Sequence, residues 1–541
     1  MKPHIVVLLS CLMAAMVNAG GKLPNASKAT SSVSTFRALG INRIFMNVND
    51  RGCLQNQEGW GAYWPDTVLN NPALNYIVYD HGPWIIGKVN GVPSMAMALW
   101  GSSFAPGPVL GGLPALWVRP QDSSRYHPYE ITYSSLAGDS DVAAWPRDLG
   151  APVDEQGRPL ILGDQLVWSI FNGADTTSLP IDYQGTHTQF PHLPVEVRQS
   201  VYAWKSASVS DTSLLANIGF LEWKFLNKGT APIESCYVGF WSDIDFGLPD
   251  NNVPGIDTSL QLAYCWAPDT AGFLKETVGA VGYKLMFGPV VPDPGGTAVF
   301  CGKTLTGYKN LQLSSFRGII DDLGHSFISA PNNITECWNV ARGFDQSGEI
   351  IIDSVTRLPT KFPYSGDPVT RSGWVYSDPW RGGSAGILMF AGPFTLSVGD
   401  SQWMMVALIP ANAGDRLLSI SLLRQYAQRL GSFTYDELAG PRTMSIEPIP
   451  PAVATRIALY QNYPNPFNPS TTIQYALPQR SHVSLSVYNT LGQLIATLAN
   501  GVEQPGYHRV EFNANGLASG VYFYRLQAGA YVATKKLVFV R

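Results

Sequence analysis

Apolar and polar residues alternate with a period of two through most of this chain, and a single stretch carries a helical period. In Val483-Ser484-Leu485-Ser486-Val487-Tyr488 the apolar side chains fall on one face and the serines on the other, as a half-buried strand requires. Strand-like runs also lie at 77–79, 84–89, 95–100, 166–171, 195–205, 218–226, 236–241, 278–287 and 394–409. Gly82-Pro83, Asn90-Gly91 and Asn227-Lys228-Gly229-Thr230 supply turns between them. The helical stretch begins at Asp415, a good N-cap. Leu417, Leu418, Leu422, Tyr426 and Leu430 recur at helical spacing, and Gly431 provides the stop. The expected fold class is mainly β: a large antiparallel β-sandwich body of one or two packed units with one covering helix, then a small C-terminal immunoglobulin-like β-sandwich.

The divisions follow from shifts in this pattern. Residues 1–19 have a short basic start, an apolar stretch from Ile5 to Val17 and a small-residue site, Val17-Asn18-Ala19, and are expected to be a signal peptide. A β-rich region at 20–205 precedes a second at 206–440, which holds the helix at 415–430. Residues 441–458 contain Pro448-Ile449-Pro450-Pro451 and read as a stiff linker. No later segment reaches the ~18 apolar residues of a membrane-spanning helix.

The final segment, 459–541, opens on Tyr460-Gln461-Asn462-Tyr463-Pro464-Asn465-Pro466-Phe467-Asn468-Pro469 and closes on Thr534-Lys535-Lys536-Leu537-Val538-Phe539-Val540-Arg541. Proline cannot donate to a strand ladder, so the two Asn-Pro steps must precede the first central strand. Asn489-Thr490-Leu491-Gly492 reads as a turn and Ala528-Gly529-Ala530 as a tight hairpin. These residues, with Gly520-Val521-Tyr522, resemble the type A C-terminal sorting domain of the type IX secretion system of Gram-negative bacteria. The same fold resembles the immunoglobulin-like domain of a flagellar hook-capping protein. The resemblance implies that the type IX translocon is a partner and that the destination is the outer cell surface or the medium, reached through the periplasm. Segments of the body, among them Tyr237-Val238-Gly239-Phe240-Trp241-Ser242-Asp243-Ile244-Asp245-Phe246-Gly247 and Phe362-Pro363-Tyr364-Ser365-Gly366-Asp367-Pro368, resemble large secreted proteins with such tails. That likeness implies one integrated β-rich unit and supplies no mechanism.

Composition narrows the picture further. Of 541 residues, 45% are hydrophobic and 14% charged, so the chain can bury large cores. A net charge of −4 without a Lys/Arg cluster argues against a nucleic-acid partner. Beyond Cys11 in the leader, Cys53, Cys236, Cys265, Cys301 and Cys337 form an odd set with no C-x-x-C pair, which excludes a zinc ribbon. One or two disulfides among the last four and buried free thiols are equally compatible with this set.

The densest chemistry is Asp243, Asp245, Asp250 and Asp257 on a Gly/Asn-rich stretch. Crowded carboxylates repel unless screened, and calcium, with six to eight oxygen ligands, suits irregular loops. The same residues also fit a solvated acidic loop in which the aspartates cap turns. Gly382-Gly383-Ser384-Ala385-Gly386 matches G-x-S-x-G, yet strand-like Ile387-Leu388-Met389-Phe390 follows where a nucleophile elbow needs a helix. A turn is expected there. Glu196, Glu222, Asp321, Asp322 and Asp353 are available for a glycosidase-type pair at ~5 or ~9 Å, and none is singled out by its neighbours. Trp60, Trp64, Trp84, Trp100, Trp117, Trp374 and Trp380 offer either core material or a sugar-stacking surface. The function expected is a structural, adhesive or binding role on a glycan or protein ligand, without enzymatic activity. The alternative is a secreted polysaccharide hydrolase.

Overall fold

The computed structural model describes residues 35–540 apart from 55–60, 65–75, 100, 103, 116–123, 136–137, 175–190, 206–212, 247–251, 269–278, 321–330, 332, 377–384, 444–456, 461, 463–464, 466 and 505. The expected leader and most of the expected linker therefore lie outside the described residues. So do Asp250, Asp321, Asp322, Trp60, Trp100, Trp117, Trp380 and the Gly382-Gly383-Ser384 part of the G-x-S-x-G match.

Two antiparallel sheets build the body. The larger has nine strands, among them Gln165–Asn172, Val195–Ala203, Gly219–Asn227, Ser401–Ala411 and Ala280–Phe287, paired in that order. The smaller has six, with Leu313–Ile320, Ala385–Leu396, Ile233–Ile244, Asp80–Val89 and Val92–Leu99 paired in that order. Both sheets draw strands from either side of the expected 205/206 division, so those two β-rich regions share their sheets. A four-stranded sheet from Phe36–Leu39 to Tyr76–Val78 adds Leu39, Met46, Val48 and Ile77 to the same apolar core.

Strict alternation gives each sheet two different faces. Inward residues of the larger sheet (Val167, Val197, Val201, Leu221, Trp223, Phe225 and Val406) meet Ile85, Val238, Phe240, Ile387 and Met389 of the smaller one. Three polar side chains in this core bond to one another. The Trp223 indole N–H donates to Gln199 Oε1 at 2.7 Å, and Gln199 Nε2 donates to Ser169 Oγ at 3.1 Å. Unpaired, each would cost about 1–3 kcal/mol.

The outward faces are covered by helices. Arg416–Leu430 lies on the larger sheet, with the Asp415 carboxylate accepting from Leu417 and Leu418 N–H at 2.8 and 3.0 Å. Its buried stripe is Ile420, Leu423, Ala427 and Leu430, whereas Leu418 is 57% exposed. The expected helix is there, but its apolar face is phased differently: the i, i+3, i+7, i+10 set from Ile420 is the one that meets the sheet. A second covering helix, Ile334–Ala341, departs from the single helix expected. It packs Cys337, Trp338 and Val340 with Trp84, Ile86 and Trp241 on the outer face of the smaller sheet. Its signal was present in the sequence, since Asn333 caps Glu336 N–H at 3.0 Å, as an N-cap with an acid three residues on should.

The C-terminal segment is a sandwich of a three-stranded and a four-stranded sheet. Ile473, Tyr475, Val483, Leu485, Val487, Tyr524, Leu526, Leu537 and Phe539 fill its interior. The Asn489 turn forms as expected, with Asn489 Oδ1 accepting from Leu491 and Gln493 N–H at 3.0 Å each. Strands Gly520–Ala528 and Tyr531–Phe539 are joined at Gly529, whose φ of +59° suits glycine.

One buried ionisable group lies between the two sheets of the body. His81 is fully buried, its Nδ1 lies 2.8 Å from the Tyr283 hydroxyl, and burial lowers its pKa to about 3 from 6.5. The folded state therefore holds it neutral while the unfolded state binds a proton between those values. Stability contributed by this site is complete above pH 6.5 and is lost as pH falls toward 3. In urea unfolding, His81→Gln should narrow the stability gap between pH 7 and pH 4 relative to the parent. An unchanged gap would contradict the trapped neutral imidazole.

Candidate functional site

The outward face of the larger sheet is polar at its centre because of the same alternation. In Val195-Glu196-Val197-Arg198-Gln199-Ser200-Val201-Tyr202 the odd positions enter the inter-sheet core, and Glu196, Arg198, Ser200 and Tyr202 turn outward. Register then sets Ser200 opposite Glu222, Arg198 opposite Lys224, Trp168 opposite Ser200, and Trp403 opposite Lys224. These six side chains share the floor of a cavity of about 360 Å³. Its walls come from Gly150 and Pro152, the hairpin tip Cys301-Gly302-Lys303, and the short helix Tyr435–Ala439.

Two glycines shape the cavity. A β-carbon at Gly150 would lie 2.1 Å from Arg198 Nη1, and one at Gly302 would lie 2.7 Å from the Tyr435 ring. Cys301 and Gly302 have φ of 47° and 79°, the pair of positive values that a tight hairpin turn needs.

Glu222 is the chemically distinctive member. Its Oε1 accepts from the Tyr202 hydroxyl at 2.7 Å, and its Oε2 accepts from Trp403 Nε1 at 3.2 Å and from the Tyr435 hydroxyl at 3.4 Å. Burial outweighs these bonds and raises its pKa from 4.5 to about 7. The Tyr202 and Tyr435 hydroxyls are pushed well above their ordinary value, first by burial and then by Glu222. Burial also pushes the Cys301 thiol up to about 12, against the pull of Lys224, Lys303 and Arg198 nearby. The cavity thus joins a proton-holding carboxyl, three cationic side chains and aromatic walls.

Of the other acids considered for a pair, the two described ones, Glu196 and Asp353, are engaged elsewhere. Glu196 Oε1 accepts from Arg198 Nε and Nη2 at 3.1 and 2.9 Å, and its Oε2 accepts from Val109 N–H at 3.3 Å. Asp353 caps a turn by accepting from Val355 and Thr356 N–H, both at 2.8 Å. The second acid lining the Glu222 cavity is Asp436, which the sequence did not single out.

Of the four aspartates considered for calcium, Asp243, Asp245 and Asp257 are among the described residues. Asp243 and Asp245 are buried at the end of Ile233–Ile244, and Asp243 pairs in register with Asp80 of the neighbouring strand. These three carboxylates, after burial, raise the Tyr76 and Tyr79 hydroxyls. Asp257 is engaged differently: it lies 3.3 Å from Arg424 Nε and accepts from Ser259 Oγ at 2.6 Å and Leu260 N–H at 3.2 Å. Among the described residues no three His, Cys, Asp or Glu side chains are grouped so as to hold a metal ion.

The remaining candidates are partly structural. Trp64 and Trp84 are buried in the body, while Trp374 is half-buried and lines a separate cavity of about 430 Å³. Ala385 and Gly386 of the G-x-S-x-G match begin the strand Ala385–Leu396. All five cysteines past the leader are unbridged.

In the C-terminal segment the Asn/Pro-rich opening has a definite task. Asn465 Oδ1 accepts from Val538 N–H at 2.8 Å, and Phe467 pairs in parallel with Phe539. Phe467 N–H donates to Val538 C=O at 3.0 Å, and Val540 N–H donates to Phe467 C=O at 3.1 Å. Asn462 N–H donates to the Tyr524 hydroxyl at 2.8 Å, which itself donates to Tyr460 C=O at 2.7 Å. The opening therefore covers the free edge of the last strand.

Comparison with known proteins identifies this segment. Residues 461–540 match a family model described as the secretion system C-terminal sorting domain. No curated protein matches the chain. Among solved structures, a polysaccharide lyase is similar at 8% identity over 71% of this chain and 40% of that one, with a TM-score of 0.17. A dimeric latent PorU from Porphyromonas gingivalis is similar at 11% identity over 72% and 33%, with a TM-score of 0.14. PorZ, a surface component of the type-IX secretion system of the same organism, is similar at 12% identity over 96% and 61%, with a TM-score of 0.12. The chain spans less than two thirds of the length of each of these structures, and scores this low carry no argument about fold or activity. Among the described residues no helix is long and apolar enough to cross a membrane. The sorting match supports export to the cell surface or extracellular space, and residues 461–540 of this chain are a type IX secretion C-terminal sorting domain.

Proposed function

We propose that the body acts outside the cell as a binding component and holds a small polar ligand in the Glu222 cavity. The observation that supports this reading is the state of Glu222. Both its oxygens already accept hydrogen bonds, from Tyr202, Trp403 and Tyr435, so the carboxyl is fixed as part of the floor. Ser200, Lys224 and Lys303 supply the polar groups around the remaining space. A thermal-shift screen of mono- and oligosaccharides should find a stabiliser whose effect Lys224→Met removes.

The hydrolase remains the second reading, and one observation favours it: a carboxyl that holds its proton near pH 7 has the property of a general acid, and Asp436 lines the same cavity. Release of reducing ends from a polysaccharide, abolished by Glu222→Gln, would replace the binding reading with this one.

Two further outcomes are expected. Glu222 keeps its proton in the folded state between pH 4.5 and about 7, where the unfolded state releases it, so this site destabilises the fold as pH rises through that window. Glu222→Gln should flatten that part of the stability profile, by ~2–3 kcal/mol across the window; denaturant melts at pH 5 and pH 7.5 measure it, and an equal slope in both proteins would contradict the raised carboxyl. In the tail, deletion of 531–541 removes the strand that Asn465 and Phe467 hold. The truncated chain should accumulate in the periplasm, and its normal release in cell fractionation would refute the sorting role of that strand.

A further inference from the structure

A second cavity, of about 430 Å³, lies where the start of the Arg416–Leu430 helix meets the 366–375 loop. Two arginines and two tryptophans line it: Arg371, Arg416, Trp266 and Trp374. The guanidinium of Arg416 lies over the Trp266 ring, 5.9 Å from its centroid, which fixes the position of its charge. Burial pushes the Arg416 guanidinium below its ordinary value; Asp415 opposes this, and the nearby Arg371 charge adds to it by a smaller amount. Asp415 itself is committed to capping Leu417 and Leu418 N–H.

Arg371 is held in place by a tight turn. Asp367 and Ser372 exchange backbone hydrogen bonds of 2.7 and 3.2 Å, and the Asp367 carboxylate also bonds Val369 N–H and the Thr370 hydroxyl. Asp367 is in turn pinned by Arg424 at 2.7 Å. At the head of this turn Arg371 has φ of +58°, a conformation that an L side chain rarely adopts. Gly366 N–H donates to Trp374 C=O at 2.8 Å and fixes the backbone under the half-buried Trp374, whose ring meets Tyr364 edge-on at 5.1 Å.

The contrast with Arg424 is informative. Asp257 and Asp367 neutralise Arg424, whereas among the described residues no such ion pair is made by Arg371 or Arg416. The charges of Arg371 and Arg416 repel one another, and an anion placed between them relieves the repulsion. Pro268, Pro368, Val355 and the Trp374 indole add apolar lining, with Ser354 at hand for a hydroxyl. That combination suits a sugar ring, whose C–H face stacks on an aromatic while its edge offers hydroxyls. The volume lies within the range of about 300–1,000 Å³ usual for small-ligand sites.

We propose that this cavity binds an anionic saccharide unit, with the ring against Trp374 and the carboxylate or sulfate between Arg371 and Arg416. The site is separate from the Glu222 cavity and does not depend on the reading given for it.

Isothermal titration of the chain with an oligogalacturonate, a sulfated heparin oligosaccharide, a neutral cello-oligosaccharide and inorganic sulfate tests this. At least one acidic saccharide should bind ten-fold or more tightly than the neutral one, and its affinity should fall as NaCl is raised. The carboxylated and sulfated probes tell the two anions apart. Arg416→Gln and Arg371→Asn should each weaken acidic-saccharide binding at least ten-fold. Asparagine is chosen because it tolerates a positive φ, and an unchanged melting temperature verifies the fold. Trp374→Leu should weaken the acidic saccharide while leaving sulfate binding as it was. The proposal is overturned if no acidic saccharide binds, if the neutral probe binds equally well, if both arginine variants bind normally, or if Lys224→Met in the other cavity abolishes binding.

Discussion

Trp223, Gln199 and Ser169 hydrogen-bond in series across three neighbouring strands, each fully buried between the sheets of the body. This chain of bonds fixes the register of the larger sheet in a way that apolar packing alone would not. A slip of one residue would turn a strand's inward side chains outward and carry polar groups such as Glu222, Arg198 or Ser200 into the core without partners. With register fixed, Glu222, Arg198, Ser200 and Lys224 have no place except the opposite face. The polar cavity there is a consequence of how the core is phased. Its shape also depends on the core, because Gly219–Asn227 can carry Glu222 and Lys224 outward only while Leu221, Trp223 and Phe225 stay inside.

How much of this could be read from the sequence depends on how local each feature is. Strand alternation is local, and so was the expectation of a mainly β body and a two-sheet tail. Asp415 as an N-cap was also legible, since the residue and the N–H groups it serves are two and three positions apart. The buried stripe of that helix was not: Leu418 and Leu422 are apolar like Ile420 and Leu423, and only the sheet beneath decides which face is covered. The helix Ile334–Ala341 could have been found from Asn333 and Glu336, a short but usable signal.

The candidate site was much less legible. Glu222 was one acid among several in the sequence, because its partners Tyr202, Trp403 and Tyr435 stand 20, 181 and 213 positions away. No local pattern reports a convergence of that kind. The sorting segment is the opposite case. Its contacts are also long in sequence, Asn465 to Val538 spanning 73 positions, yet the residues at both ends are distinctive in type. Asn-Pro steps and a basic-then-apolar final strand are readable before their contact is known, and the contact joins the two ends of the segment.

The cysteines link the apolar core to the export route. A chain that passes through an oxidising compartment with five unbridged thiols is exposed to mispairing while unfolded. Once folded, reactivity requires a thiolate, and burial removes it. Cys236, Cys265 and Cys337 are fully buried, and burial holds their thiols far above the neutral range. Cys301 is more accessible, at the rim of the Glu222 cavity, yet it too is pushed up to about 12 despite three cations that favour its thiolate. A body of this size can bury enough apolar surface to stand without crosslinks, and that same burial suppresses the thiolate at Cys236, Cys265, Cys301 and Cys337. The apolar core therefore does two jobs for an exported protein: it sets the register that builds the outward sites, and it protects the one residue type most at risk on the way out.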